Sequence, residues 1–89
     1  MRDFVIVTVA DTDSNFDYDM ELPVDVPFAS LKKDILEVVR AYDPKRVKIG
    51  PPLELYCMRL KRTMADQETP AEAGIWSGDF LVMNGRKTG

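Results

Sequence analysis

The segment "FDYDMELPVDVPFASLKKDILEVVRAY", residues 16–42, changes its hydrophobic period partway along and therefore decides the fold. Its first seven residues alternate strictly between apolar and acidic, which predicts a β-strand with one buried and one solvated face. After a proline-containing break, apolar residues recur three and four positions apart, which predicts an amphipathic helix; they are Leu31, Ile35, Val38, Val39 and Tyr42. Pro27 suits the first turn of this helix, and Asp43-Pro44 ends it, because the residue before a proline avoids helical backbone angles.

Upstream of this segment, residues 2–10 form a β-branched run that predicts a first strand. The intervening "DTDSN", residues 11–15, consists of residues that stabilise turns by bonding back to the local backbone. The chain is therefore expected to open with a β-hairpin.

Downstream, "LELYCMRL", residues 53–60, and "FLVM", residues 80–83, predict two further strands. Between them we expect a short strand near Thr63–Met64 and one helical turn after Pro70. The resulting order is β-β-α-β-(β)-β, in which the single long helix must cover one face of a mixed sheet. The predicted fold class is an α+β roll.

A chain of 89 residues is one domain. We assign residues 1–83 to it and predict that 84–89, "NGRKTG", form a polar tail with no hydrophobic reason to be ordered. The opening apolar run has no small-residue cleavage site and is too short to span a bilayer, so we expect a cytoplasmic protein without membrane insertion.

Several classes of chemistry lack their usual residues. The chain has no histidine and one cysteine, Cys57, which excludes an intramolecular disulfide and removes the commonest general base and zinc ligand. Cys57 lies inside a predicted strand, which favours a buried structural role over nucleophilic catalysis. The glycines are scattered singly and make no phosphate-binding motif. We therefore predict no enzymatic activity and no cofactor.

The turn segment raises the question of a metal site. Asp11, Asp13 and Asn15 have the one-three-five spacing that opens a calcium loop. Phe16 stands where that loop needs glycine, and Leu22 stands where it needs a glutamate. We therefore predict a plain hairpin turn and no metal.

Charge is distributed unevenly within the net value of −3. Residues 1–25 carry seven acidic residues against Arg2 alone. An acidic opening hairpin argues against nucleic-acid binding at that end. A polarised small domain suits either docking onto a charged protein or simple solvation.

The uncovered face of the sheet is the strongest candidate for a binding surface. If Leu55 and Cys57 face the helix, their neighbours point the other way, and the same argument holds for Leu81 and Met83. The outward residues would be Tyr56, Met58, Phe80 and Val82, an exposed apolar patch of the kind that marks interaction sites. A register error of one residue would exchange the two faces, and a covering loop would hide the patch.

Trp76, the single tryptophan, follows Ile75 in a turn and is expected to point outward. Two roles remain open: a rim residue covering the sheet edge, or an aromatic anchor beside the patch. A basic cluster, Lys45, Arg46, Lys48, Arg59, Lys61 and Arg62, either flanks this face or is solvated.

Two stretches resemble a known family. "ETPAEAGIWSGDFLVM", residues 68–83, resembles the closing signature of ubiquitin-like β-grasp domains. Thr69 matches the threonine of that signature, Ile75 matches its buried isoleucine, and Pro70 replaces its usual leucine. "ELPVDVPFASLKKDIL", residues 21–36, resembles the entry to the helix in the YukD/EsaB-like group.

That resemblance implies a ubiquitin-like β-grasp fold and a bacterial accessory role in type VII (WXG100) secretion, with a protein partner from the secretion machinery. The alternative it leaves open is a covalent modifier or sulfur carrier that acts through Gly89. Thr88 stands where a conjugated modifier needs glycine, which favours non-covalent docking. A free edge strand would also permit dimerisation.

Overall fold

A computed structural model of the protein describes residues 3–88. Within this range the chain forms five strands and two helices, in the order β1 (Phe4–Asp11), β2 (Asp17–Pro23), α1 (Phe28–Tyr42), β3 (Ile49–Cys57), β4 (Arg62–Thr63), α2 (Pro70–Ala73) and β5 (Phe80–Lys87). This order is the predicted one, including the short strand β4 and the helical turn α2.

The strands form one mixed sheet in the order β2-β1-β5-β3-β4. The central pair, β1 and β5, is parallel, and the other three pairs are antiparallel. Alternate residues of β1, β3 and β5 are buried against the α1 side, among them Val7, Leu55 and Leu81. The predicted α+β architecture, with one helix over one face, is confirmed.

The buried side of α1 differs from the predicted one. It consists of Phe28, Leu31, Ile35, Leu36 and Val39. Val38 is 47% exposed and Tyr42 is 77% exposed, so the prediction that both lie in the core is wrong. The reason is positional: Val38 faces a groove beside β2, which is the edge strand, so no further strand packs over it.

Two strand boundaries also differ. The third strand begins at Ile49 and ends at Cys57, and not at residues 53–60, because Lys61 bonds back to Cys57 O at 2.8 Å and turns the chain into β4. The last strand continues beyond residue 83 to Lys87, pairing with the early part of β3. Residues 84–87 of the predicted polar tail therefore belong to the sheet, and Gly89 lies outside the described residues.

Gly85 makes this extension of β5 sterically demanding. A Cβ placed on it would lie 2.6 Å from the carbonyl oxygen of Gly50 and 2.8 Å from a methyl carbon of Leu53. Neither contact is tolerable, and the nearer one is with backbone that is held in the β3–β5 ladder.

Replacing Gly85 with alanine is expected to lower the free energy of unfolding by about 1–3 kcal/mol, because the backbones must separate to admit the methyl group. Urea denaturation followed by circular dichroism measures the loss. Asn84→Ala, at an exposed position of the same strand, is the matched control and should change stability by less than about 0.5 kcal/mol. Equal stabilities for the two variants would show that β3 and β5 are not paired here.

Candidate protein-interaction surface

The face of the sheet opposite α1 is uncovered and carries large apolar side chains. At the end of β3 and the start of β5 the residues that face the helix are fully buried, and their neighbours are exposed: Tyr56 by 36%, Met58 by 51% and Phe80 by 41%, with Val82 half-buried. The prediction that these strands turn four residues toward the helix is confirmed, because all four are fully buried: Leu55, Cys57, Leu81 and Met83.

Strand pairing brings these four residues together. Tyr56 lies directly opposite Val82 across the β3–β5 ladder. Met58 lies just beyond the end of β3 and donates its N–H to Phe80 O at 3.0 Å, so it stays beside β5. We call Tyr56, Met58, Phe80 and Val82 the sheet-face patch.

Two further exposed apolar residues lie on the same uncovered face and were missed from the sequence. Phe4 is 43% exposed and Ile6 is 48% exposed, both on the outward side of β1. The parallel pairing of Thr8 with Phe80 places β1 directly beside β5. Strict alternation with Val5 and Val7 could have assigned their direction, but a run that is apolar on both faces has no polar residue to fix its phase.

The patch has an acidic border. The side chains of Asp17, Asp19 and Glu21 alternate along β2, and these residues pair with Ala10, Thr8 and Ile6 of β1. Directly opposite residues share one face of a sheet, so the three carboxylates lie on the uncovered side. The Thr8 hydroxyl donates to Asp19 Oδ1 at 2.6 Å, which fixes the middle carboxylate on that face.

Trp76 lies in the loop that leads into β5 and is 64% exposed. The Arg59 guanidinium lies over its indole ring, 3.9 Å from the ring centroid, in a cation–π contact. The loop is tied to β1, since Gly78 donates its N–H to Ile6 O at 2.7 Å. The predicted outward direction of Trp76 is confirmed, and its contact with a partner remains a prediction.

Asp79 holds this loop together. It is only 5% exposed, and its carboxylate accepts from Arg59 Nε at 2.7 Å, from Arg59 Nη2 at 2.9 Å and from the Trp76 N–H at 2.8 Å. The same guanidinium donates to Gly74 O at 2.6 Å, at the end of α2. One buried carboxylate thus positions the tryptophan and connects α2 with the start of β5. This role of Asp79 was not predicted from the sequence.

The ion pair shifts both groups toward their charged forms. The Arg59 hydrogen bonds lower the pKa of Asp79 against the opposing effect of burial, and the Trp76 N–H lowers it further. The hydrogen bond with Asp79 likewise raises the pKa of Arg59. A bidentate arginine–carboxylate pair of this kind is stronger and more directional than a neutral hydrogen bond.

Three arginines of the basic cluster form ion pairs with nearby carboxylates. Arg59 is paired with Asp79, Arg62 is bound by both carboxylate oxygens of Glu68, at 2.9 and 3.0 Å, and Arg46 lies 3.3 Å from Asp43. Half of the six residues are therefore neutralised locally.

The acidic side chains of the turn between β1 and β2 are bound by other groups of the protein. Asp11 is buried, and its two carboxylate oxygens accept from the backbone N–H and the side-chain amide of Asn15, at 2.6 and 2.9 Å. Asp13 forms an ion pair with Lys87 of β5. Within residues 3–88 no cluster of side chains has the arrangement needed to hold a metal ion. Cys57 is a buried free thiol in the core.

Comparison with known proteins identifies the fold. A family model described as "WXG100 protein secretion system (Wss), protein YukD" matches residues 4–83. The ubiquitin-like domain of EccD5 from Mycobacterium xenopi superposes with a TM-score of 0.75 at 14% identity, covering 92% of this chain and 93% of that one. No curated protein sequence matches this chain significantly.

Two other solved structures agree. A chain of the MycP5-free ESX-5 inner membrane complex gives a TM-score of 0.76 at 15% identity, covering 92% of this chain and 21% of that one. A designed protein based on ubiquitin gives a TM-score of 0.70 at 16% identity, covering 100% of this chain and 96% of that one. The ubiquitin-like β-grasp fold predicted from the sequence is confirmed. Across residues 3–88, α1 and α2 are both too short and polar to cross a membrane.

Replacing Asp79 with asparagine is expected to lower the free energy of unfolding by about 2 kcal/mol, because charge-assisted hydrogen bonds to a buried carboxylate are lost. Chemical denaturation at neutral pH measures the change. The control is Asp43→Asn, which removes the carboxylate of the exposed pair with Arg46 and should cost less than about 0.5 kcal/mol. A loss at residue 79 no greater than the control's would contradict the central role of this pair.

The difference in stability between the wild type and Asp79→Asn is also expected to depend on pH. Because the pKa of Asp79 is lower in the folded protein, its contribution is complete above the unfolded value of about 3.9 and declines as pH falls through the folded value. The stability gap between the wild type and Asp79→Asn should therefore be constant from neutral pH to about pH 5 and narrow below about pH 4. A gap that stays constant down to pH 2 would be inconsistent with the ion pair.

Proposed function

We propose a docking function for this chain, which belongs to the YukD family of the WXG100 protein secretion system. The protein is a non-catalytic ubiquitin-like module that docks onto a component of that system. The docking surface is the sheet-face patch together with Phe4, Ile6 and Trp76. Binding is non-covalent, and the setting is the cytoplasm. The observation that carries the proposal is the run of exposed apolar residues across three adjacent strands.

Large apolar residues left in water mark interaction surfaces when they are contiguous and bordered by polar groups. Here the patch combines two aromatic rings and a methionine, residue types that contribute most to protein interfaces. The sheet beneath it is rigid, because Cys57 and Leu81 anchor its other side in the core. A preorganised surface loses little entropy when it binds.

The secretion context has independent support from structural similarity. A chain of the ESX-5 inner membrane complex contains a region with this fold, and the ubiquitin-like domain of EccD5 has it too. We infer a protein partner in the secretion machinery. The alternative function, transfer through Gly89, is less well supported because Thr88 donates its N–H to Lys48 O at 2.8 Å, which holds the chain up to Thr88 beside the segment that precedes β3.

Combined replacement of Tyr56, Met58 and Phe80 with alanine is expected to reduce recovery of WXG100 secretion components in affinity capture by more than about tenfold, as loss of interface hot spots does. Mass spectrometry quantifies the recovered proteins, and circular dichroism verifies the fold. The control is Lys33→Ala with Glu37→Ala, which replaces two exposed side chains of α1 that belong to neither candidate surface and leaves the net charge unchanged.

Recovery that is unchanged by the triple replacement, or reduced equally by the control, would contradict docking through this face. The same mass spectra separate the alternative function. A modifier or sulfur carrier would be recovered as an adduct through the Gly89 carboxylate, and a docking module would be recovered with its own mass unchanged. Adducts through Gly89 would transfer the functional site from the sheet face to the chain terminus.

A further inference from the structure

Strand β2 has a free backbone edge, and the pairing of β1 shows which of its groups face outward. Thr8 donates its N–H to Asp79 O, and Ile6 O accepts from Gly78, so both residues direct their backbone groups toward the β5 side. Their neighbours on β1, Val5, Val7 and Val9, therefore bond to Leu22, Met20 and Tyr18 of β2. The backbone N–H and C=O groups of Asp19 and Glu21 then point away from the sheet.

An apolar groove runs beside this edge, between β2 and α1. Two adjoining cavities form it, of about 210 and 140 Å³, and both are lined by Met20 and Val38. Tyr42 closes one end, with its ring 5.9 Å from the ring of Tyr18. Val38 and Tyr42 are 47% and 77% exposed, which is why their predicted place in the core was wrong.

We propose that this edge accepts an extended segment of a partner protein as a sixth strand, in which apolar residues alternate with lysine or arginine. Backbone pairing with Asp19 and Glu21 provides affinity, as in other cases of strand addition. Residues opposite Tyr18, Met20 and Leu22 share their side of the sheet and enter the groove, so they must be apolar. Residues opposite Asp17, Asp19 and Glu21 meet carboxylates on the other side, so they must be basic.

The charge of the edge favours this occupant over a second copy of the chain. Of the three carboxylates, Asp17 and Glu21 have no ion-pair partner within residues 3–88, so they can receive cations. If two β2 strands paired with each other, two identical acidic rows would lie on one face, and like charges directly opposite are destabilising. Charged edge strands are a known protection against self-association.

This surface uses different residues from the one proposed for docking, which its carboxylates border on the uncovered face. The sheet-face patch lies on β3 and β5 and presents side chains, whereas the β2 edge presents backbone groups and the groove on the α1 side. The inference therefore does not depend on the proposed function, and experiments locate the two surfaces on different residues.

The test uses two synthetic peptides with blocked ends, each of seven residues. One alternates valine with lysine, and the other alternates valine with glutamate. Nuclear magnetic resonance titration of the full chain gives the affinity and the residues whose amides shift. We expect the lysine peptide to bind about tenfold more tightly than the glutamate peptide, with shifts concentrated at Asp19, Glu21 and Val38, and binding weakened by salt.

Charge reversal makes the assignment specific. Asp17→Lys with Glu21→Lys leaves the Asp19–Thr8 bond intact and should reverse the preference, so that the glutamate peptide binds more tightly. The control, Glu37→Lys with Glu54→Lys, makes the same change in net charge at exposed positions outside β2 and should leave the preference unchanged.

Three results would overturn the proposal. They are equal affinity for the two peptides, shifts at Tyr56 and Phe80 in place of β2, or no binding of the lysine peptide up to about 1 mM. Shifts at the sheet-face patch would leave the proposed function standing while removing this second surface. Loss of secretion-component binding in the triple alanine variant has no bearing on this result.

Discussion

A single helix of 15 residues has to cover one face of a five-stranded sheet, and this limit determines the remaining surface of the protein. The helix side of the central parts of β1, β3 and β5 is buried, so the other side of the same strands must face water. Because those strands are apolar on both faces, the uncovered side carries aromatic rings. The helix is also too narrow to reach past β2, which leaves Val38 beside an open groove. Both candidate surfaces follow from this one constraint.

The Asp79–Arg59 pair extends the order of the core into the loop that borders the patch. Without it, the segment from α2 to β5 would be held mainly by Ile75 and the bonds of Gly78 and Asp79 to β1. The carboxylate fixes the backbone of Trp76, and the guanidinium lies against its ring. An exposed tryptophan is therefore held in place, which lowers the entropy that a partner must overcome in binding it.

The sequence was sufficient to predict the strands with strict alternation. It was also sufficient to predict the patch on β3 and β5, since Cys57 and Leu81 fix the direction of their neighbours. It was insufficient where the answer depended on distant segments. Phe4 and Ile6 share a face with the patch only because β1 is the strand next to β5, and residues 84–87 are strand only because β3 begins early enough to pair with them. Val38 was misplaced because a helical stripe does not show which strand is at the edge.

The most direct test of the docking account is site-specific photocrosslinking in the cells that produce the protein. A benzophenone amino acid is introduced at position 80, in the sheet-face patch, or at position 37, on the exposed side of α1. If the sheet-face patch docks onto the secretion machinery, the probe at position 80 forms adducts with a WXG100 secretion component and the probe at position 37 does not. Adducts formed only from position 37, or equally from both positions, would contradict docking through the uncovered face of the sheet.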